Sequence, residues 1–412
     1  MTTTNAPMNA HLAPQAKSIM AITLLVTLIS VSGIALPYPM LAPLFQAGTH
    51  PLTHFMSLPT EILFGIVIGI YPLGVIIGSS FIGTLSDQYG RKKVLTFTML
   101  GSTFSYLLTG FSALSGDFLL FVFARFLTGL LEGNIAIARA IATDLHPSID
   151  KTKSLSWVNA MTFAGYLIGP LTGGQLASLG VDVVFYWAAL ACFIATLLCL
   201  FTLPNTLNRK ADNAETGSSL QLLKDNALRH YFFLYLLLMI GINIFYEFYP
   251  LWLVEKFSFN AEYIAWSTVF ITSSMIVTSF FAIPILTKRL SKAQGGLLGM
   301  MLVSVSMFFI PSMEDYFFLL IFMVVGMGVA IYNGFLTSYI STSYEHRPQG
   351  KLMGMLVTIF CVGNLIAAGL GSILSYYEVN YALFASAICS LCACILFYRG
   401  HFHLALWQRS KD

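Results

Sequence analysis

Three ionisable residues recur at seven-residue intervals inside one long apolar stretch of the chain. They are Arg125, Glu132 and Arg139, and they lie in the stretch 118–144. On a helix, residues seven apart share one stripe, with about 20° of drift per step. A charge at the centre of a bilayer costs about 2.5–3.5 kcal/mol even on insertion scales, so such side chains face a partner or a water-filled path. The pattern fits proton transfer across a membrane or, alternatively, a structural Arg125–Glu132 ion pair.

A second isolated acid, Glu247, lies in the aromatic segment NIFYEFYPLWL. Aromatic rings can hold a cation against their faces, while the carboxylate supplies the opposite charge. Apolar surroundings also favour the protonated form of a carboxyl group, as a proton carrier requires. Alternatively, Glu247 lies near the outer surface and extends its carboxylate to water. Arg125, Glu132 and Glu247 are therefore the candidates for proton coupling.

The composition indicates that these ionisable residues lie in segments that cross a membrane. Of the 412 residues, 57% are hydrophobic and only 9% are charged, whereas an ordinary soluble domain has about 25% charged residues. A helix needs about 20 mostly apolar residues to cross a bilayer. Twelve runs meet this need: 18–46, 60–82, 93–113, 118–144, 155–178, 181–203, 230–254, 262–287, 294–311, 316–342, 350–376 and 379–398. The predicted fold class is therefore an all-α integral membrane protein.

The basic residues predict the orientation of these spans. With the N-terminus in the cytoplasm, 18 of the 21 Lys and Arg residues fall in inside segments and only Lys256 falls outside, while Arg125 and Arg139 lie within the fourth run. Such a bias marks the cytoplasmic side. The polar N-terminal segment 1–17 has no cleavage signature, so the first run is expected to be retained as a helix. We expect a multi-pass protein of a cell membrane, of the bacterial inner-membrane type, with both termini inside.

The longest polar interruption divides the twelve runs into six and six. A shift of 198 residues aligns Lys153 with Lys351, Gly165 with Gly363 and Gly173 with Gly371. Duplicated halves are typical of transporters whose substrate lies near the middle of the membrane. The predicted organisation is an N-terminal tail, a six-helix bundle, a cytoplasmic central loop, a second, pseudo-symmetric six-helix bundle and a C-terminal tail, at 1–17, 18–203, 204–229, 230–398 and 399–412.

A charged loop, GTLSDQYGRK, separates the second and third runs. Gly83 and Gly90 favour a tight turn, and the basic residues anchor the loop in the cytoplasm. The loop matches G-x-L-x-D-x-x-G-R-K/R, so the chain resembles the major facilitator superfamily over essentially its whole length. The resemblance implies a gate in which Asp87 contacts a helix end of the other half and Arg91 pairs with an acid at the end of helix four, here Asp144; topology anchoring alone is the alternative. The gating residues are Gly83, Asp87, Gly90, Arg91, Lys92 and Asp144.

A second motif points to a subgroup of that family. The segment GYLIGPLTGG resembles the helix-five motif of proton-driven exporters, with Gly165, Gly169, Pro170, Gly173 and Gly174 in the matching places. Glycines four apart make a notch into which another helix can pack, and proline removes a backbone hydrogen bond and kinks the helix. The resemblance favours the drug:proton antiporters of the multidrug and tetracycline type.

Helices one and four depart from the patterns of that subgroup. Arg125 with Gly129 and Gly133 resembles the helix-four motif whose arginine is associated with proton coupling, but the usual companion glutamine is missing. Tetracycline-type exporters carry an aspartate in helix one about three residues before a glycine, where this chain has Ser30. The resemblance therefore leaves the proton site to Glu132 or Glu247.

Polar residues in the apolar runs are the candidates for lining a substrate cavity. Asn134 and Asn333 are predicted at similar depth in helices four and ten. Membrane asparagines also join helices as plain hydrogen-bonded staples. The set consists of Tyr38, Asn134, Tyr166, Asn243, Tyr246, Tyr249, Asn333 and Asn364.

Together these features predict a secondary active transporter that exports drug-like or amphipathic compounds by alternating access. A metabolite or siderophore transporter of the same superfamily is the alternative, and a non-transporting receptor would leave the buried charges without a role. The sequence contains no catalytic motif or phosphate loop, so no enzyme activity and no cofactor are expected, and the proton gradient is the energy source. The expected partners are lipid, a small molecule and protons, with no nucleic acid, and the expected functional unit is a monomer.

Overall fold

The chain folds into long α-helices, as the apolar runs predict. The structure is a computed structural model that describes residues 15–145, 148–149, 151–204, 222, 225–344 and 349–409. All regular secondary structure within these ranges is helical. The α-helices are α1 Ala16–Ala35, α2 Tyr38–Ala47, α3 Thr60–Tyr89, α4 Arg91–Ser115, α5 Phe118–Leu130, α6 Asn134–Asp144, α7 Lys151–Leu176, α8 Val181–Thr202, α9 Asn226–Phe257, α10 Ala261–Val277, α11 Ile283–Leu286, α12 Lys292–Phe309, α13 Phe318–Ser343, α14 Gln349–Tyr377 and α15 Val379–Arg409.

Each of the twelve predicted runs corresponds to helical structure. Within the described part of the chain, 11 helical stretches are long and apolar enough to cross a membrane. The remaining predicted run, 155–178, lies in α7, which has 26 residues, and in the 3-10 turn Ala177–Leu179 that follows it. Helix α7 is less apolar than the others because Gly, Thr and Asn replace larger apolar side chains along it.

Two of the predicted runs are interrupted, where the sequence predicted continuous helices. The first run divides into α1 and α2 at Leu36 and Pro37, because proline lacks the backbone N–H that would continue the helix. The fourth run divides into α5 and α6 at residues 131–133. Gly133 contributes to this second break, since glycine is a poor helix former.

By their internal contacts the described residues fall into two compact units. Unit 1 takes in the described residues of 1–37 and 73–214, and unit 2 those of 38–72 and 215–412. In unit 1, α4 packs along α8 and α1 packs along α7. In unit 2, α9 packs against α14 and α15, and α12 packs along α13.

The predicted N-terminal tail and central loop fall largely beyond the described ranges. Most of the predicted central loop 204–229 lies outside them, as do residues 1–14 of the N-terminal tail. Helix α9 begins at Asn226, before the predicted start at 230, and α15 continues to Arg409, past the predicted end at 398. The division into two six-helix bundles stays a prediction.

The packing of α1 on α7 depends on the predicted glycine notch. An added Cβ on Gly165 would lie 2.6 Å from the Cβ of Val31, and one on Gly169 would lie 2.5 Å from the Ser32 carbonyl oxygen. One on Gly173 would meet the Leu36 carbonyl oxygen. The close helix approach expected from Gly165 and Gly169 is therefore confirmed. Helix α7 continues through Pro170, and Gly174 is also buried.

Candidate functional site

The break between α5 and α6 places Glu132 outside regular helix. The backbone N–H of Glu132 donates to the Gly129 carbonyl at 3.0 Å, and that of Gly133 donates to the Leu131 carbonyl at 3.1 Å. Helix α3 covers the end of α5, where an added Cβ on Gly78 would meet the Leu130 carbonyl oxygen. A bulkier residue at position 78 would push α3 away from the break.

The Glu132 side chain turns into unit 1 and joins a chain of hydrogen bonds from three helices. The Ser30 hydroxyl of α1 donates to Glu132 Oε1 at 2.6 Å. The Asn134 side-chain amide of α6 donates to Ser30 Oγ at 3.2 Å, and the Thr98 hydroxyl of α4 donates to Asn134 Oδ1 at 2.6 Å. All four side chains are buried. Glu132 therefore lies in a water-excluded site whose polar partners come from α1, α4 and α6, and this set of four residues is called the Glu132 network below.

The break also ends the regular stripe that a single continuous helix would give. Arg125 and Glu132 are buried, whereas Arg139 is exposed and its guanidinium donates to Asn159 Oδ1 at 3.3 Å. The expectation of three ionisable residues on one stripe was therefore wrong for Arg139. The buried members are Arg125, on α5, and Glu132, in the break.

Glu247 lies in unit 2, near the C-terminal part of α9, and is 3% exposed. Neither of its carboxylate oxygens has a hydrogen-bond partner among the residues that the structure describes. The alternative in which Glu247 extends into water does not fit this burial. A buried carboxylate without partners is costly, because nothing replaces the hydration that the charge loses.

The charged loop forms the predicted contact with the end of helix four. Arg91 Nε lies 3.4 Å from Asp144 Oδ2, and Arg91 Nη1 donates to Ser86 Oγ at 2.6 Å. Gly90 has a φ of +96° and allows the turn between α3 and α4. The pairing of Arg91 with Asp144 that the resemblance implied is therefore present.

The remaining gating residues lie on the two helices that flank the turn. Gly83 was expected to help form it but lies within α3, which continues to Tyr89, so that expectation was wrong. Lys92 is half-buried in the first turn of α4. Asp87 lies on α3, and its side chain is outside the described part of the structure.

The cavity candidates differ in burial and in bonding. In unit 2, the Asn243 side-chain amide donates to the Phe360 carbonyl at 3.5 Å, the Tyr246 hydroxyl donates to Met275 Sδ at 3.4 Å, and Tyr249 hydrogen-bonds Thr268. Their role in substrate binding stays a prediction. Asn134, Asn243 and Tyr249 are buried, Tyr38, Tyr246 and Asn364 are half-buried, and Tyr166 and Asn333 are exposed.

Sequence reasoning missed Ser30 and Thr98 as partners of the acid site. Ser30 stood out only as a departure from a first-helix aspartate, and hydroxyl residues are frequent in membrane helices. In α1, Thr23 and Thr27 each donate to the backbone four residues earlier, which is the common behaviour of a helical hydroxyl. Only the packing of α1 against α6 shows that Ser30 instead bonds to Glu132.

Comparisons with known proteins agree with this architecture. The family model described as Major Facilitator Superfamily matches residues 20–368. The chain is 24% identical to tetracycline resistance protein, class H, of Pasteurella multocida, over 89% of this chain and 90% of that protein. It is 25% identical to multidrug resistance protein 2 of Bacillus subtilis (strain 168), over 79% of this chain and 83% of that protein.

A comparison of folds leads to the same architecture. The crystal structure of a D-xylose–proton symporter superimposes with a TM-score of 0.77 at 14% identity. The superposition covers 93% of this chain and 97% of the symporter. At this level of identity the likeness concerns the fold alone.

Proposed function

Because the chain belongs to the major facilitator superfamily, a family of multi-pass membrane transporters, we propose that it is a proton-coupled exporter of drug-like or amphipathic small molecules. Two similar proteins named above are resistance proteins, and both align over most of their length. The proposal places the protein in a bacterial inner membrane, with both termini in the cytoplasm, and has it function as a monomer.

The observation that carries the proposal is the Glu132 network. A carboxyl group that is removed from water and placed at a break in a membrane helix is costly to keep ionised. Such acids in membrane segments mark ion pathways and proton relays. Ser30 and Asn134 supply the polar contacts that make either protonation state tolerable at this position.

Glu247 provides a second acid, in unit 2, in a different environment. Neither oxygen has a partner among the described residues, so a proton or a cationic group of a substrate would relieve the cost of burying it. Both acids therefore enter the proposal, Glu132 first because its surroundings are built from polar groups.

The proton gradient is the proposed energy source, with no cofactor. A membrane potential of 100 mV is worth about 2.3 kcal/mol per charge. At 1.36 kcal/mol per factor of ten, one coupled proton could hold a substrate gradient of about 50-fold. In alternating access, a proton that enters from outside neutralises an acid and the substrate leaves in the opposite direction.

The test is substrate-induced proton flux in liposomes that contain the purified protein and a pH-sensitive dye. Lipophilic cations such as tetraphenylphosphonium, then antibiotics, siderophores and small metabolites, are added under an imposed pH gradient. Wild type is compared with Glu132→Gln and Glu247→Gln. Glu262→Gln is the matched control, because Glu262 is an exposed acid in the first turn of α10.

The expected result is flux with a drug-like compound that is lost in Glu132→Gln and kept in Glu262→Gln. Flux that responds only to a siderophore or a metabolite would favour the alternative transporter. Transport without proton movement, or full coupling in both Glu132→Gln and Glu247→Gln, would overturn proton coupling through these acids.

A further inference from the structure

Ser30 behaves differently from the other hydroxyl residues of its own helix. Thr23 Oγ1 donates to the Ile19 carbonyl and Thr27 Oγ1 donates to the Thr23 carbonyl, both at 2.8 Å. Ser30 instead directs its hydroxyl across the packing interface to Glu132 Oε1. The corresponding backbone acceptor for Ser30, the Val26 carbonyl, lies four residues earlier in the same helix, so Ser30 has a second place for its hydrogen.

The hydrogen bonds of the Glu132 network run in one direction. Thr98 donates to Asn134, Asn134 donates to Ser30, and Ser30 donates to Glu132. An ionised carboxylate only accepts hydrogen bonds, whereas its protonated form carries an O–H donor. The observed order ends on Glu132 Oε1 as an acceptor, a role that both oxygens of the ionised carboxylate can fill.

We propose that Ser30 is a positioning residue of the proton site, whose hydroxyl holds the ionised Glu132 carboxylate and turns away when that carboxylate takes up a proton. The inference rests on the proposed function. When a proton adds to Glu132, the new O–H donates to Ser30 Oγ, and the Ser30 hydrogen moves to a backbone carbonyl of α1. Proton uptake then changes the hydrogen bond that joins α1 to the break between α5 and α6.

The helices around the site carry ionisable residues of their own; on α6 these are Arg139, which is exposed, and Asp144, which pairs with Arg91. Helix α8, which packs against α1 and α4, carries the buried thiol of Cys192. Arg125 is the ionisable residue of α5, and Tyr106 is that of α4 beyond its basic first turn. The ionisable residue of α1 is Lys17, in its first turn. Helix α1 therefore meets the acid with a neutral hydroxyl.

The test follows protonation of Glu132 itself and needs no known substrate. Infrared difference spectra of the full-length protein in lipid membranes are recorded during a pH titration. The carboxyl band that disappears in Glu132→Gln reports the protonation midpoint. A hydrogen bond donated to a carboxylate favours the ionised form, so its loss in Ser30→Ala should move the midpoint to higher pH. We expect a shift of roughly 1 pH unit, a ten-fold change in proton affinity.

Two further variants separate positioning from a general effect on structure. Ser30→Thr keeps the hydroxyl and should keep the wild-type midpoint. Asn134→Ala removes the donor to Ser30, and this side chain also acts on Glu132 directly, so the midpoint should move in the same direction; the variant carries the test if Ser30→Ala does not fold. An unchanged midpoint in Ser30→Ala, or an equal shift in Ser30→Thr, would overturn the positioning role.

The exporter proposal and the positioning role of Ser30 are refuted by different results. If Glu132→Gln removes no titrating band, Glu132 does not exchange a proton, and both the positioning role and the assignment of the proton site fall. If the band titrates and responds to Ser30 but the liposomes show no substrate-induced flux, the positioning role stands and the exporter proposal falls.

Discussion

The contact between Gly173 on α7 and the Leu36 carbonyl oxygen on α1 predicts a measurable cost for one added methyl group. The Cβ of an alanine at position 173 would overlap this backbone oxygen, and a backbone atom cannot rotate away as a side chain can. Overpacking of a well-packed interior typically costs about 1–3 kcal/mol. Gly173→Ala should therefore destabilise unit 1 by about that amount.

Two control glycines in other helices separate the steric cost of the added methyl group from the general effect of replacing glycine by alanine. An added Cβ on Gly369, in α14, has no atom within 4 Å, and one on Gly296, in α12, has its nearest neighbour at 3.8 Å. Replacing a helical glycine by alanine gains roughly 0.5–1 kcal/mol of helix stability. This gain is common to all three variants, so the difference between Gly173→Ala and the two controls measures the steric cost.

The assay is thermal unfolding of the purified protein in one detergent. At roughly 2 °C per kcal/mol, the lower value for long soluble chains, Gly173→Ala should unfold about 2–6 °C below the two control variants. Gly173→Val should lower the temperature further. A Gly173→Ala protein that unfolds together with the controls would show that α1 and α7 do not approach this closely.

Three other predictions concern charged groups. Asp144→Asn should lower the free energy of unfolding by roughly 1–3 kcal/mol, because the mostly buried Arg91 guanidinium loses its charged partner. Chemical or thermal unfolding measures this change, and an unchanged free energy of unfolding would show that the ion pair does not stabilise the fold. Asp87→Asn should impair transport while leaving the amount of membrane-inserted protein unchanged, and unchanged turnover in the liposome assay would reject the gate. Glu247→Leu should raise the free energy of unfolding by roughly 1–3 kcal/mol, since it removes a buried carboxyl group that lacks described partners, and should lose proton flux; a less stable variant would indicate that Glu247 has a partner after all.

Much of the fold could be predicted because a bilayer imposes strong limits on sequence. Each span needs a long apolar run, and the loops carry the basic residues. The break after α1 was not predicted, although Pro37 is a local cause for it, because proline removes a backbone donor. The break at residues 131–133 had no comparable signal, since glycine is common in membrane helices that stay intact.

The acid site could be predicted only in part. Glu132 was identified because an acid within an apolar run is rare. Its bond to Ser30 joins residues 102 positions apart, and nothing local in either helix determines which faces meet. The glycine notch of α7 was predictable as a packing surface, whereas its partner α1, which carries Ser30, was known only once the helices were packed.

The two buried acids, which look alike in the sequence, differ in what their replacement can reveal. Glu132 accepts a bond from Ser30, and the bonds behind Ser30 extend to α4 and α6. The amide oxygen of glutamine can accept the same bond, so Glu132→Gln removes the exchangeable proton with little change to the network. Glu132→Ala would leave a cavity beside Ser30 and would mix loss of the acid with loss of packing. No such bond to Glu247 exists among the described residues, so Glu247→Gln removes no described hydrogen bond. A loss of flux shared by Glu132→Gln and Glu247→Gln therefore has to arise from the missing carboxyl groups, because neither variant takes away a described hydrogen bond.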